Sequence, residues 1–327
     1  VVIRRLEESK GFGRTAVVCL VILFTLCSCS GGERDGEERD KNVDLTLIFS
    51  SDLRGKIRSC GCSARDMGGL GRRATYTRNV RDGVRNLLVL DAGDVFSLDL
   101  SFSQDEASLT FDSFSLTGLD VLTPGEMEFV FGLPFLESLV MNAEFDVVCA
   151  NLVRTGDGSR VFGRAYTVKE LEGGIKVAIT GILDDKLLFP SYIDRSGFKV
   201  LLAGQVLDQI VPDMKREADL LILLAHIGIE KSRSLAAEIP EFDMIVVGHG
   251  QPMIKSLESV GNTLILAAGS IGKNIGRVDL RVTGKGEYSV SRLRVEPLKD
   301  DIVIHEGVVD LFREYGIALT EKELKKR

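Results

Sequence analysis

From Asp44 onward the chain repeats one device: a short, almost unbroken run of Val, Ile and Leu, followed by a longer stretch of mixed polarity. The apolar runs cover residues 45–50, 87–90, 145–150, 175–182, 220–225, 244–247 and 263–267. Strands with one wet face alternate apolar and polar residues, so nearly continuous runs fit strands buried on both faces. Between them, residues 70–80, 107–116, 133–142, 205–217 and 231–238 read as helices. Strands alternating with helices predict α/β layering. Residues 276–282 and 288–295 predict a closing hairpin that turns at Gly284-Lys285-Gly286, and residues 305–327 a helical tail with a basic end.

A chain of 327 residues has room for one large domain or two small ones. At 44% hydrophobic and 27% charged it can bury an ordinary core. Its formal net charge of −7 speaks against a nucleic-acid polymer as partner, which calls for a basic footprint. A small anionic substrate is not excluded, because a bound metal ion outweighs mean surface charge locally.

The N-terminal segment reads as a targeting device rather than part of the fold. Arg4, Arg5, Lys10 and Arg14 precede an apolar run over residues 15–26. That run is shorter than the roughly 20 residues of a spanning helix and suits the core of a signal peptide. Leu26-Cys27-Ser28-Cys29 then resembles a bacterial lipobox, which implies cleavage before Cys29 and a lipid on its sulfur. We therefore expect a signal peptide over residues 1–28, a flexible polar tether over 29–43, the folded domain over 44–297 and the tail over 298–327. The expected location is the cell envelope, lipid-anchored on its periplasmic or extracellular face. Cys60, Cys62 and Cys149 would then sit in a compartment that permits disulfides.

Polar residues gather just after the strand runs. Asp52, Asp91 and Asp94, His226 and His249 each follow one. In α/β sheets the strand ends converge on one edge, where ligands bind. Carboxylates and imidazoles together suit Zn, Mn or Fe better than Ca. A lone His after a strand is more often structural, but the chain has only three, and two of them fall here.

The order of these elements resembles the calcineurin-like metallophosphoesterases, and most closely their 5′-nucleotidase branch. Asp52-Leu53-Arg54-Gly55 is similar to the family's D-x-H-G, and Leu90-Asp91-Ala92-Gly93-Asp94 to its L-D-A-G-D. Gly125-Glu126-Met127-Glu128-Phe129 takes the place of G-N-H-E-F, and Cys149-Ala150-Asn151-Leu152 that of the A-N-L strand. Ala225-His226-Ile227-Gly228 resembles S-H-x-G, and Gly248-His249-Gly250-Gln251 resembles G-H-x-H or G-H-x-Q. The likeness runs from Asp44 to Val295. It implies an α/β/β/α sandwich with two central mixed sheets flanked by helices. It also implies one or two divalent transition-metal ions and hydrolysis of a small phosphorylated substrate, in relatives often a nucleotide.

Mapped by motif, Asp94 would bridge the ions, Asp52 and Gln251 would serve the first, and Glu126, His226 and His249 the second. Two positions depart from the pattern. Arg54 stands where the first metal expects a histidine, and a guanidinium has no lone pair to give. It can instead grip an anion bidentately, so we assign it a phosphate contact. Met127 stands where the family has its catalytic histidine, and a thioether cannot relay a proton. These departures predict one well-formed metal site and slow, altered or absent hydrolysis. Cys60-Gly61-Cys62 admits three readings: a tight disulfide, a metal clip or a redox pair, with Cys149 as another partner for either. The stretch after Val295 is too short for the base-binding domain usual in such nucleotidases. Selectivity is therefore expected from the domain's own loops or from a protein partner. A non-catalytic or redox-associated binding lipoprotein on the same scaffold is the alternative.

Overall fold

The computed structural model describes residues 2–3, 42–61, 66–250 and 252–324. Cys29, Cys62 and Gln251 lie outside the described residues, as do most of the segments read as leader and tether. Among the described residues no helix is long and apolar enough to cross a membrane.

Two mixed sheets stack face to face. The first runs, from edge to edge, Val2–Ile3, Glu287–Pro297, Asn274–Gly284, Val43–Ser50, Leu87–Asp91, Val121–Leu122 and Asp146–Val147. Its last four strands are parallel, and the closing hairpin joins Val43–Ser50 antiparallel. The second runs Ser259–Val260, Thr263–Leu266, Met244–Val247, Leu220–His226, Lys176–Leu183 and Tyr166–Glu170, with its four inner strands parallel.

Three apolar layers account for the continuous runs in the sequence. Alternate residues of each strand point to opposite faces. Leu45, Leu47 and Phe49 therefore meet Leu220, Ile222 and Leu224 in a core between the sheets. Ile48 and Val89 face outward, onto helices Leu70–Gly83, Gln104–Leu116 and Glu306–Glu314. Leu221, Leu223 and Ala225 face the other way, onto helices Ala203–Glu217 and Ile229–Glu238. This is the expected α/β/β/α sandwich. The helix Gln104–Leu116 starts where Ser103 and Glu106 form a capping box, each side chain bonding the other's backbone N–H.

Some expectations needed tertiary correction. The run at 145–150 forms only the two-residue strand Asp146–Val147. The chain then leaves the sheet, and Leu152–Arg154 pairs with Phe198–Val200 in a separate ribbon. The tail carries two helices, Glu306–Glu314 and Glu321–Leu324. Val308 and Phe312 of the first are buried in the outer core, and Glu323 of the second accepts the Ser59 N–H at 2.8 Å.

Candidate metal centre

The parallel strands of both sheets end on the same edge, and four loops there carry the polar residues. Asp94 lies after Leu87–Asp91, Glu126 just before the short 3-10 helix Met127–Phe129, His226 at the end of Leu220–His226, and His249 just past Met244–Val247. One ligand atom from each of these four lies within 4.8 Å of the others. Glu126 Oε2 is 3.0 Å from His226 Nε2, Asp94 Oδ1 is 3.5 Å from the same nitrogen, and Glu126 Oε1 is 3.5 Å from His249 Nδ1. Ligands about 2.1 Å from one shared ion lie within about 4.2 Å of each other, and these three spacings fall inside that limit.

Backbone contacts aim the side chains. His226 Nδ1 lies 2.7 Å from the Ala92 carbonyl, which can only accept, so Nδ1 donates there and Nε2 is the nitrogen turned toward Glu126 and Asp94. Asp94 and His226 are wholly buried, and Asp94 Oδ2 has no hydrogen-bond partner among the described residues. A buried carboxylate oxygen left bare is costly unless a cation completes it. Two glycines make the approach feasible. A Cβ on Gly125 would lie 2.2 Å from Asp94 Oδ1, and one on Gly248 would lie 2.2 Å from the Ala92 oxygen. The field of the cluster favours positive charge. Burial opposes protonation of His226, yet Asp94 and Glu126 hold its pKa well above the usual imidazole value. Burial likewise works against ionised Glu126, but hydrogen bonds from His226 and His249 keep it far below the usual carboxylate range.

Asp52 stands beside this group but is engaged differently. Its Oδ1 accepts from the Gly250 N–H and from Arg54 Nη2, the latter at 3.2 Å, while Oδ2 is buried without a partner among the described residues. Arg54 Nε is also buried without a partner among the described residues. Asp91 does not face the cluster. It is a brace, accepting from Ser50 Oγ at 2.6 Å and the Gly93 N–H at 3.0 Å, with Arg73 Nη1 at 3.3 Å. Met127 contributes its N–H, which donates to Asp94 Oδ1 at 3.1 Å, while its side chain packs on the outer core. Cys60 is exposed on a loop, and Cys149 is a free, buried thiol, so pairing between that loop and Cys149 is not made.

Two contributors were missed in the sequence. Glu128, fully buried, accepts the N–H groups of Asp94, Val95, Phe96 and Gly125 with its two oxygens. Burial and the nearby charge of Asp94 push its pKa up to about 7, against these four donors. Its place in the stretch Gly125-Glu126-Met127-Glu128-Phe129, where it keeps the glutamate of G-N-H-E-F, was the available signal. Ile271 is the other: its N–H donates to the Asp52 carbonyl at 2.6 Å. Among the described residues, the non-glycines with positive φ are Asp52, Arg54, Asp94, His249 and Ile271, at 53 to 76°. Such backbone costs roughly 1–3 kcal/mol per residue and persists where surrounding structure enforces it, often at functional sites. Four of these five residues are site residues by motif, and the fifth is bonded to one of them.

No family model matches the chain. Individual proteins do. An uncharacterized metallophosphoesterase of Bacillus subtilis is 28% identical over 147 residues, 45% of this chain and 31% of that protein. A 5′-nucleotidase of Vibrio cholerae is 24% identical over 308 residues, 83% of this chain and 54% of that one. The chain thus spans about half or less of the length of these curated relatives. Among solved structures, a 5′-nucleotidase precursor from Thermus thermophilus superposes with a TM-score of 0.72 at 21% identity, over 84% of this chain and 58% of that one. With its two stacked sheets and its loops gathered on one edge, the chain has the fold of these proteins, and the relatives and structural neighbours it resembles are metallophosphoesterases and 5′-nucleotidases.

Proposed function

We propose that this chain is a metal-dependent phosphoester hydrolase of the 5′-nucleotidase type. It holds one divalent transition-metal ion, Zn, Mn or Fe, on Asp94, Glu126, His226 and His249, with Asp52 and Gln251 beside them. The observation that carries this reading is the convergence of two carboxylates and two imidazoles from four separate segments. Mixed oxygen and nitrogen donors suit such ions, and the bare Asp94 oxygen suits a cation. When bound, the ion supplies Lewis-acid charge against the phosphoryl oxygens.

The chain's own residues do the rest. Arg54, held by Asp52, offers its remaining N–H groups to the substrate phosphate and fixes its orientation. Glu128 holds the backbone that carries Asp94. Met127 gives the leaving group no proton, so turnover is slow and favours esters that leave unaided. The substrates are small phosphate esters, nucleotides among them, met outside the cytoplasm by a protein anchored through lipid at Cys29. Two observations favour a second reading, a binding or redox-associated protein. Arg54 already neutralises Asp52, and no proton relay stands at position 127.

Elemental analysis of the purified chain after incubation with Mn, Zn and Fe, paired with aryl phosphate turnover, decides between them. About one tightly held ion per chain, with turnover, both lost in Asp94→Ala, supports the hydrolase. No retained metal and no turnover supports the second reading. Metal content unchanged by Asp94→Ala sinks the site assignment.

A further inference from the structure

The loop that leaves Arg54 walls a second cavity, of about 430 Å³. Its lining holds three cations, Lys56, Arg58 and Lys273, and no carboxylate among the described residues. It adjoins the candidate centre at two points. Gly55, in its wall, follows Arg54 directly, and Ile271, also in its wall, donates to the Asp52 carbonyl at 2.6 Å. Arg58 is fixed in place, donating from Nε to the Ala318 carbonyl at 2.7 Å and from Nη1 to Glu106 at 3.1 Å, so its charge is shared. Lys56 and Lys273 make no ion pair among the described residues. The chain as a whole carries −7, so a cavity whose charged lining residues are all cations runs against its mean charge. Concave walls of one sign focus the field and raise the local concentration of the opposite ion.

We propose that this cavity is a second anion subsite of the same centre. It selects phosphate esters that carry a further anionic group, such as a second phosphate or a carboxylate, over simple monoesters. The proposal rests on the phosphoester reading above. Cavity and centre are joined through the Asp52–Arg54–Gly55 backbone and the Ile271 hydrogen bond. A ligand that bridges them touches Arg54 with one group and the two lysines with the other.

Calorimetric titration of the Mn-loaded full chain tests this with non-hydrolysable probes. These are alkane monophosphonates, α,ω-bisphosphonates of increasing spacer length, and ω-carboxyalkyl phosphonates. One spacer length is expected to bind about five- to tenfold tighter than the matched monophosphonate, the range two partly exposed charge contacts supply. Lys56→Ala with Lys273→Ala should abolish that gain and leave monophosphonate affinity unchanged. The double Lys→Arg variant should keep it. An equal gain from the carboxylate series marks a subsite for any anion, and a larger gain from bisphosphonates one for phosphate. If the monophosphonate binds and no spacer improves on it, or if the gain survives the double alanine variant, the subsite falls alone. If the monophosphonate itself does not bind, the phosphoester reading falls and takes the subsite with it.

Discussion

Arg54 Nη2 lies 3.2 Å from Asp52 Oδ1, so the chain supplies from within the positive charge that this aspartate faces. The aspartate is fully buried while the arginine side chain is 37% exposed, which leaves the guanidinium reachable from solvent. Replacing Arg54 with His removes that cation and introduces a nitrogen lone pair beside Asp52. Metal content is expected to rise from about one ion per chain toward two, as in two-ion sites. Elemental analysis of the R54H protein checks this. An unchanged count would show that something other than Arg54 limits the first position.

Met127 stands next to Glu126, its partly buried side chain lying against the outer core and its N–H bonded to Asp94. A hydrolase without a proton donor there should depend steeply on its leaving group. Phenolic esters are expected to turn over well ahead of alkyl esters. Met127→His should raise kcat for alkyl esters by roughly 10²-fold, the usual scale of general-acid assistance, and much less for p-nitrophenyl phosphate. Steady-state kinetics on a series of leaving groups would refute the idea if M127H moved both classes equally.

Glu128 accepts four backbone N–H groups from two loops, which makes it the clamp between the Asp94 loop and the Glu126 loop. Glu128→Gln keeps the shape but turns an amide NH₂ toward N–H donors. The two donors then facing it lose their acceptor, which costs about 1–3 kcal/mol for each buried group left unsatisfied. Chemical denaturation should show that loss, and metal affinity should weaken with it as Asp94 loosens. Wild-type stability in E128Q would mean the clamp is redundant.

Cys149 is buried, and burial pushes its thiol up to about 12 from an ordinary 9.0. In the unfolded chain the thiol ionises near 9, so the folded state holds its proton more tightly. Its contribution to stability is therefore complete below pH 9 and falls away as pH rises from there toward 12. At pH 10.5 about 2 kcal/mol of that contribution is gone. Cys149→Ser should flatten the decline in unfolding free energy between pH 8 and 10.5, and native Cys149 should resist iodoacetamide at pH 8. Rapid alkylation of the folded protein would contradict the burial.

Much of the scaffold could be read in one dimension because burial on both faces leaves a local mark. Residues 220–225 and 244–247 are apolar at every position since their odd and even residues fill different layers. Val121–Leu122 and Ser259–Val260 left no such mark. Two residues are too few to show a period, and those strands exist because neighbouring strands offer them hydrogen bonds. Tyr166–Glu170 was missed for another reason. It is an edge strand with buried Thr167 and partly exposed neighbours, and its pattern blends into the surrounding loop.

For the centre, sequence alone determined which chemical groups stand after which strands, because residue type and order are written in the chain. It also determined that Arg54 and Met127 break the expected pattern. Only the tertiary structure decided what those groups do to one another. It set His226 Nδ1 against the Ala92 carbonyl, closed Arg54 onto Asp52, turned Glu128 inward as a clamp, and strained Ile271 to hold the Asp52 loop. Those relations join residues as much as 219 positions apart, since Asp52 meets Ile271. The stacking of two sheets fixes them, and local sequence periodicity carries no record of that stacking.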